Sequence, residues 1–132
     1  MTSILDAFSD HSSPLQLQEE LGAGATVKVV AALQVSMQRK VAVKVFAPPG
    51  PAKESKFGRA SEAVARQRFV TVSQAIGHVQ HPNVAAVFDV GTLNGHAYRI
   101  QELIDGHTLD RFISEAGKLE PRRAARMAAG LA

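Results

Sequence analysis

The sequence predicts an α+β domain with the element order β-β-β-α-β-β-α-α. Three observations carry this reading. Three stretches between residues 15 and 46 alternate apolar with polar residues or run in β-branched residues. One long stretch, 57–79, changes the apolar period from 2 to 3.6. An Asn94-Gly95 pair then joins two further strand-like stretches, and such pairs suit the positive φ angles of a tight hairpin.

Residues 1–13 read as a mobile leader ending in Ser12-Ser13-Pro14. "LQLQEELG" (15–22) alternates and stops at glycine, the pattern of a strand. "TVKVVAALQV" (26–35) and "KVAVKVF" (40–46) are the next two strands, joined by the polar turn Ser36-Met37-Gln38-Arg39. Pro48, Pro49 and Pro51 then break the ladder, because proline has no N–H to donate. In the helix over 57–79, Ala65, Phe69, Val72, Ile76 and Val79 recur at spacings of three and four, predicting one stripe against the sheet. His81-Pro82-Asn83 ends that helix. "VAAVFDVG" (84–91) and "HAYRIQELI" (96–104) are strands, "TLDRFISEAG" (108–117) is a short helix, and "PRRAARMAAGLA" (121–132) starts another with Pro121 in its first turn.

Composition narrows the function classes. The 132 residues are the size of one modest domain, 45% apolar and 20% charged, which fits a folded chain rather than a disordered one. The absence of cysteine excludes disulfides and thiolate metal sites. The first residues lack a positive n-region and an apolar run, and no segment approaches bilayer length, so the expected chain is soluble and cytoplasmic. A net charge of +3 is mild, and its basic clusters (Lys53, Lys56, Arg59, Arg66 and Arg68, then Arg122, Arg123 and Arg126) fall on helical stretches. Solvated helix faces explain them better than a nucleic-acid surface, and one tyrosine with six phenylalanines offers no platform for stacking bases. His78 and His81 lack further ligands at metal-site spacing, so His81 is expected in the His-Pro-Asn turn rather than on a metal.

Four pieces in order then resemble the N-terminal lobe (N-lobe) of a protein kinase, most like the bacterial serine/threonine kinases. They are the glycine-rich "LGAGATVKV", the "VAVK" strand, the helix ending in His-Pro-Asn, and "QELIDGHTLDRFI". The resemblance runs from about Leu15 to the end of the chain. It implies a kinase-like N-lobe at 14–104, with a five-stranded antiparallel sheet and one packed helix. Residues 105–132 would be the hinge exit and the first C-lobe helices.

In the family pattern G-x-G-x-x-G-x-V, glycines let backbone N–H groups approach nucleotide phosphates. Gly22 and Gly24 match the first two glycines, and Val29 matches the valine over the adenine ring. Val27 stands where the third glycine belongs, and its branched side chain favours strand geometry over a pliant tip. Taken alone, the loop fits a plain hairpin equally well. Lys44 matches the lysine on the α- and β-phosphates, and Ala42, two residues earlier, shares its strand face and would line the adenine pocket. The resemblance places Gln101 as gatekeeper and the Glu102 carbonyl and Ile104 N–H on the adenine edge.

An active kinase pairs that lysine with a glutamate on the following helix. Counting back from His81, the position is Val72, and no acid lies one turn away. Glu62, ten residues earlier, is about 15 Å along the axis and about 80° around it. Lys44 is therefore expected to face an apolar residue and to turn toward solvent, an acidic ligand or a phosphate.

The catalytic His-Arg-Asp loop and the metal-binding Asn and Asp-Phe-Gly motifs of the family would lie past Ala132. The expectation is a catalytically incomplete, kinase-like domain that binds ATP weakly at most, without magnesium, and acts as a regulatory or interaction module. Two alternatives stand beside it: the N-terminal fragment of a longer active serine/threonine kinase, and a scaffold lobe that binds no nucleotide. The expected partner is another protein or a second copy. On the 121–132 helix, Ala124, Met127, Ala128 and Leu131 form an apolar face that family members cover with C-lobe helices.

Overall fold

The computed structural model describes residues 14–47, 56–93 and 95–131, of which 56–60 are described by their backbone alone. The leader, the proline break, Lys53 and Asn94 lie outside the described residues. The elements follow the predicted order: β1 (Leu15–Ala23), β2 (Val27–Gln34), β3 (Arg39–Phe46), α1 (Lys56–Gly77), β4 (Val87–Leu93), β5 (His96–Glu102), α2 (Leu109–Ala116) and α3 (Pro121–Leu131). The strands form one antiparallel sheet in the order β1-β2-β3-β5-β4.

β3 is the centre of the sheet and explains why its sequence is so apolar. Val41, Val43 and Val45 point to one face and are essentially fully buried against Leu15, Ala32 and Ile100. Ala42 and Phe46 point to the other face and are buried too. Lys44 lies between them and is half-buried. The polar turn after β2 is a single 3₁₀ turn, Val35–Met37, closed by Gln38 at φ 48°. The Gln38 side-chain amide donates to the Val35 carbonyl at 2.8 Å. Gly95 has φ 80°, as the predicted hairpin requires. β1 pairs with β2 through two register shifts, between Leu17 and Glu20 and between Glu20 and Gly22, and such bulges twist an edge strand.

α1 lies on the Ala42–Lys44–Phe46 face, with the Phe46 and Phe69 ring centroids 5.9 Å apart. Its inward seam differs from the predicted stripe. Phe69 and Ile76 are half-buried, but Ser73 is the fully buried residue of the seam. Val72 is 46% exposed, and Val79 lies past the helix end at Gly77 and is 45% exposed. A count of apolar residues misses this, because the centre of the seam is a hydroxyl. Ser73 is accommodated by a hydrogen bond from Arg99 of β5, Nη1 to Oγ at 3.4 Å.

α2 starts where its sequence predicts, with Thr108 Oγ1 accepting from the Arg111 N–H at 3.1 Å. α3 is tied back to the turn after α1: Asn83 Nδ2 donates to the Gly130 carbonyl at 2.7 Å. His81 Nδ1 accepts from the Asn83 N–H at 3.0 Å, so the imidazole organises that turn.

Candidate functional site

The site is built on the sheet face that carries Lys44. Antiparallel register sets Val29 opposite Lys44 and Ala31 opposite Ala42 across β2 and β3. On the other side of β3, Gln101 is opposite Ala42 and Arg99 is opposite Lys44. Directly opposed residues share a face, so Val29, Ala42, Lys44 and Gln101 form one surface. Gly22 pairs with Val29 at the open end of the same surface.

Two clefts open along it. One, of about 510 Å³, lies beside the segment after β5 and is lined by Leu21, Ala31, Lys40, Leu103, Ile104 and Gly106, with Glu19 and Asp105. Ile104 belongs to this cleft, and its N–H has no backbone acceptor among the described residues. Glu102 is anchored to the start of β4: its N–H donates to the Ala86 carbonyl at 2.8 Å, and its Oε2 accepts from the Ala86 N–H at 3.2 Å. That side chain fixes the strand end and leaves recognition at this position to the backbone.

The other cleft, of about 410 Å³, lies between β3, β5 and α1 and contains Lys44, Arg68, Arg99, Val27, Phe69 and Val72. Val72 thus reaches the cleft of Lys44, as its register in the sequence predicts, and no carboxylate among the described residues lines that space. Glu62 is engaged elsewhere, with Arg66 at 3.3 Å. Burial lowers the Lys44 pKa from its ordinary 10.5, and the charge of Arg99 lowers it further.

The predicted residues are therefore divided. Val29, Ala42, Lys44 and Gln101 share the face, Ile104 lines the first cleft, and Lys44 alone of the set lines the second. Gly22 and Gly24 have ordinary φ angles, and a Cβ at Gly22 would meet nothing within 4 Å. The fold itself does not demand glycine there. Arg99 is the residue that sequence reasoning passed over. Its signal was the alternation of β5, since a residue two before Gln101 must face the same side.

This sheet, helix and surface define a protein kinase N-lobe. The family model for protein tyrosine and serine/threonine kinases matches residues 15–132, and the chain belongs to that family. Among individual relatives, it is 26% identical to the serine/threonine-protein kinase PrkC of Bacillus subtilis over 113 residues, 86% of this chain and 16% of PrkC. It is 27% identical to PknD of Mycobacterium tuberculosis over 124 residues, 94% of this chain and 17% of PknD. The chain thus spans a small part of these relatives. In fold it is similar to the M. tuberculosis PknI kinase domain, with TM-score 0.72, 18% identity, and coverage of 90% of this chain and 45% of that one. The PpkA-294 apo form gives TM-score 0.72 at 20% identity, covering 78% of this chain and 40% of that one. No helix among the described residues is long and apolar enough to cross a membrane.

Proposed function

We propose that this chain is the nucleotide-holding lobe of a bacterial-type serine/threonine protein kinase domain, working in the cytoplasm, and that it binds adenine nucleotide weakly and with little dependence on magnesium. The observation that supports this reading most is the shared surface of Val29, Ala42, Lys44 and Gln101, which ends at the Ile104 N–H. Apolar side chains there would cover one side of a base, the free N–H would bond its edge, and Lys44 would meet the phosphates. Little magnesium dependence is expected because no carboxylate among the described residues lines the Lys44 cleft, and anchoring magnesium takes one or two carboxylates besides the phosphates.

Thermal melting with ATP, with and without magnesium, tests it. A small upward shift, equal in both conditions and largely removed by Lys44→Met, is the expected result. A shift of several degrees that requires magnesium contradicts the proposal, and no shift at all leaves a lobe that acts as a scaffold. Val72 beside Lys44 favours a catalytically deficient, regulatory role. The greater length of the relatives favours the second reading, a part of a longer active kinase. A phosphotransfer assay on the full-length gene product, with a serine/threonine peptide, separates the two.

A further inference from the structure

We propose that Arg99 is a further oxyanion-binding residue, in the cleft between β3, β5 and α1, and acts as a pair with the Lys44 that the nucleotide reading already assigns to phosphates, with Arg68 at the rim. The oxyanion is either the phosphate tail of a nucleotide or a free phosphate or pyrophosphate. The proposal shares Lys44 with the nucleotide reading but does not require adenine to be held beside β5.

Arg99 and Lys44 are cross-strand partners on one sheet face, and like charges set directly opposite destabilise a sheet. Neither makes an ion pair among the described residues, where the salt bridges are Arg66–Glu62 and Arg111–Glu115. Both are half-buried beneath α1. Charges removed from water without a counter-ion are costly, so the cleft holds a repulsion that an anion would relieve.

The guanidinium is also preorganised. Its Nε donates to Gln101 Oε1 at 2.9 Å, its Nη1 donates to Ser73 Oγ at 3.4 Å, and it lies 5.7 Å from the centroid of the Phe69 ring. Those neutral partners fix its plane without cancelling its charge, and they leave both Nη2 hydrogens without an acceptor among the described residues. Planar guanidinium donors suit phosphate oxygens, and Lys44 supplies a second, compact charge from the adjacent strand. The volume of about 410 Å³ accommodates a phosphate or pyrophosphate.

The test titrates the whole chain with pyrophosphate and, separately, with adenosine, at constant ionic strength, following melting temperature and calorimetric affinity. Pyrophosphate should raise the melting temperature. Arg99→Met and Lys44→Met should each weaken its binding by about tenfold or more. No pyrophosphate response, or a response that Arg99→Met leaves unchanged, overturns the proposal. If adenosine binds and pyrophosphate does not, this site is wrong and the base-binding surface stands. The opposite result supports this site and removes the base-binding surface. Should Arg99→Met fail to fold, backbone amide shifts of the wild-type chain decide. Changes centred on Lys44, Ser73 and Arg99 on adding pyrophosphate support the site, and their absence overturns it.

Discussion

At the scale of single residues, Val72 is the position at which one substitution tests the Lys44 cleft most directly. It is half in water and half in the cleft of Lys44, Arg68 and Arg99, so Val72→Glu adds a carboxylate where it can be solvated and paired. The expected outcome is a variant as stable as Val72→Gln or up to about 1 kcal/mol more stable, measured by denaturant unfolding. A loss of several kcal/mol against that control would show that Val72 packs in a dry core and that its pairing with Lys44 is wrong. Lys44 itself gives a pH signature. Its folded-state pKa lies below the ordinary 10.5, through burial first and Arg99 second, so the unfolded chain holds this proton to higher pH. Protonated Lys44 therefore costs stability below its folded pKa, and the cost fades as pH rises from that value toward 10.5. Lys44→Met should be stabilised relative to wild type at neutral pH, and the difference should shrink toward pH 10.5. Taking the difference also cancels Tyr98, whose burial raises its pKa above 10.0 and which acts with the opposite sign. A difference that stays flat across that range would contradict the account. The place of Val72 was legible from its distance to His81. The role of Arg99 was not, because the cross-strand pairing that sets it against Lys44 joins residues far apart in the chain.

At the scale of elements, strand identity was written in local alternation, while the contacts that fix each strand were not. β4 shows this at Gly91. A Cβ there would lie 2.6 Å from the Tyr98 hydroxyl and 2.8 Å from its ring carbon Cζ, since the Tyr98 ring crosses the glycine from the paired strand. Glycine in the middle of a strand usually weakens it, and here it is required by the close approach. Gly91→Ala should cost about 1–3 kcal/mol through displacement of the ring, and shortening the obstructing side chain in the double variant Gly91→Ala/Tyr98→Leu should recover part of that loss. Thermal unfolding of the two variants measures both effects. The α1 seam makes the same point from the polar side. Periodicity located the helix and its Phe69 and Ile76 contacts, but it selected Val72 over Ser73, because hydrophobicity alone cannot anticipate a hydroxyl satisfied by an arginine from another strand.

At the scale of the whole molecule, the fold divides into a tightly packed sheet and a more loosely attached pair of helices. The buried residues are confined to β1, β2, β3, β5 and one position of α1 among the described residues, whereas neither α2 nor α3 buries any. α3 is held by specific links instead: Asn83 to the Gly130 carbonyl, and Arg123 stacked 4.7 Å from the centroid of Phe112 in α2. Its apolar face is only partly covered, with Ala124 and Met127 half-buried and Leu131 78% exposed. A helix of this length is marginal in water unless its apolar face is packed. Hydrogen exchange should therefore show amides of β2, β3 and β5 opening only with global unfolding, and amides of α3 exchanging through a lower-energy local opening. Asn83→Ala removes one exposed hydrogen bond, so it should lower α3 protection by about 1 kcal/mol while leaving the sheet amides unchanged. Equal losses in both regions would mean that α3 and the sheet form a single cooperative unit. Protection of α3 that strengthens with protein concentration would instead mean that a second copy covers the face of Ala128 and Leu131, and light scattering over the same range would then show a mass that grows with concentration.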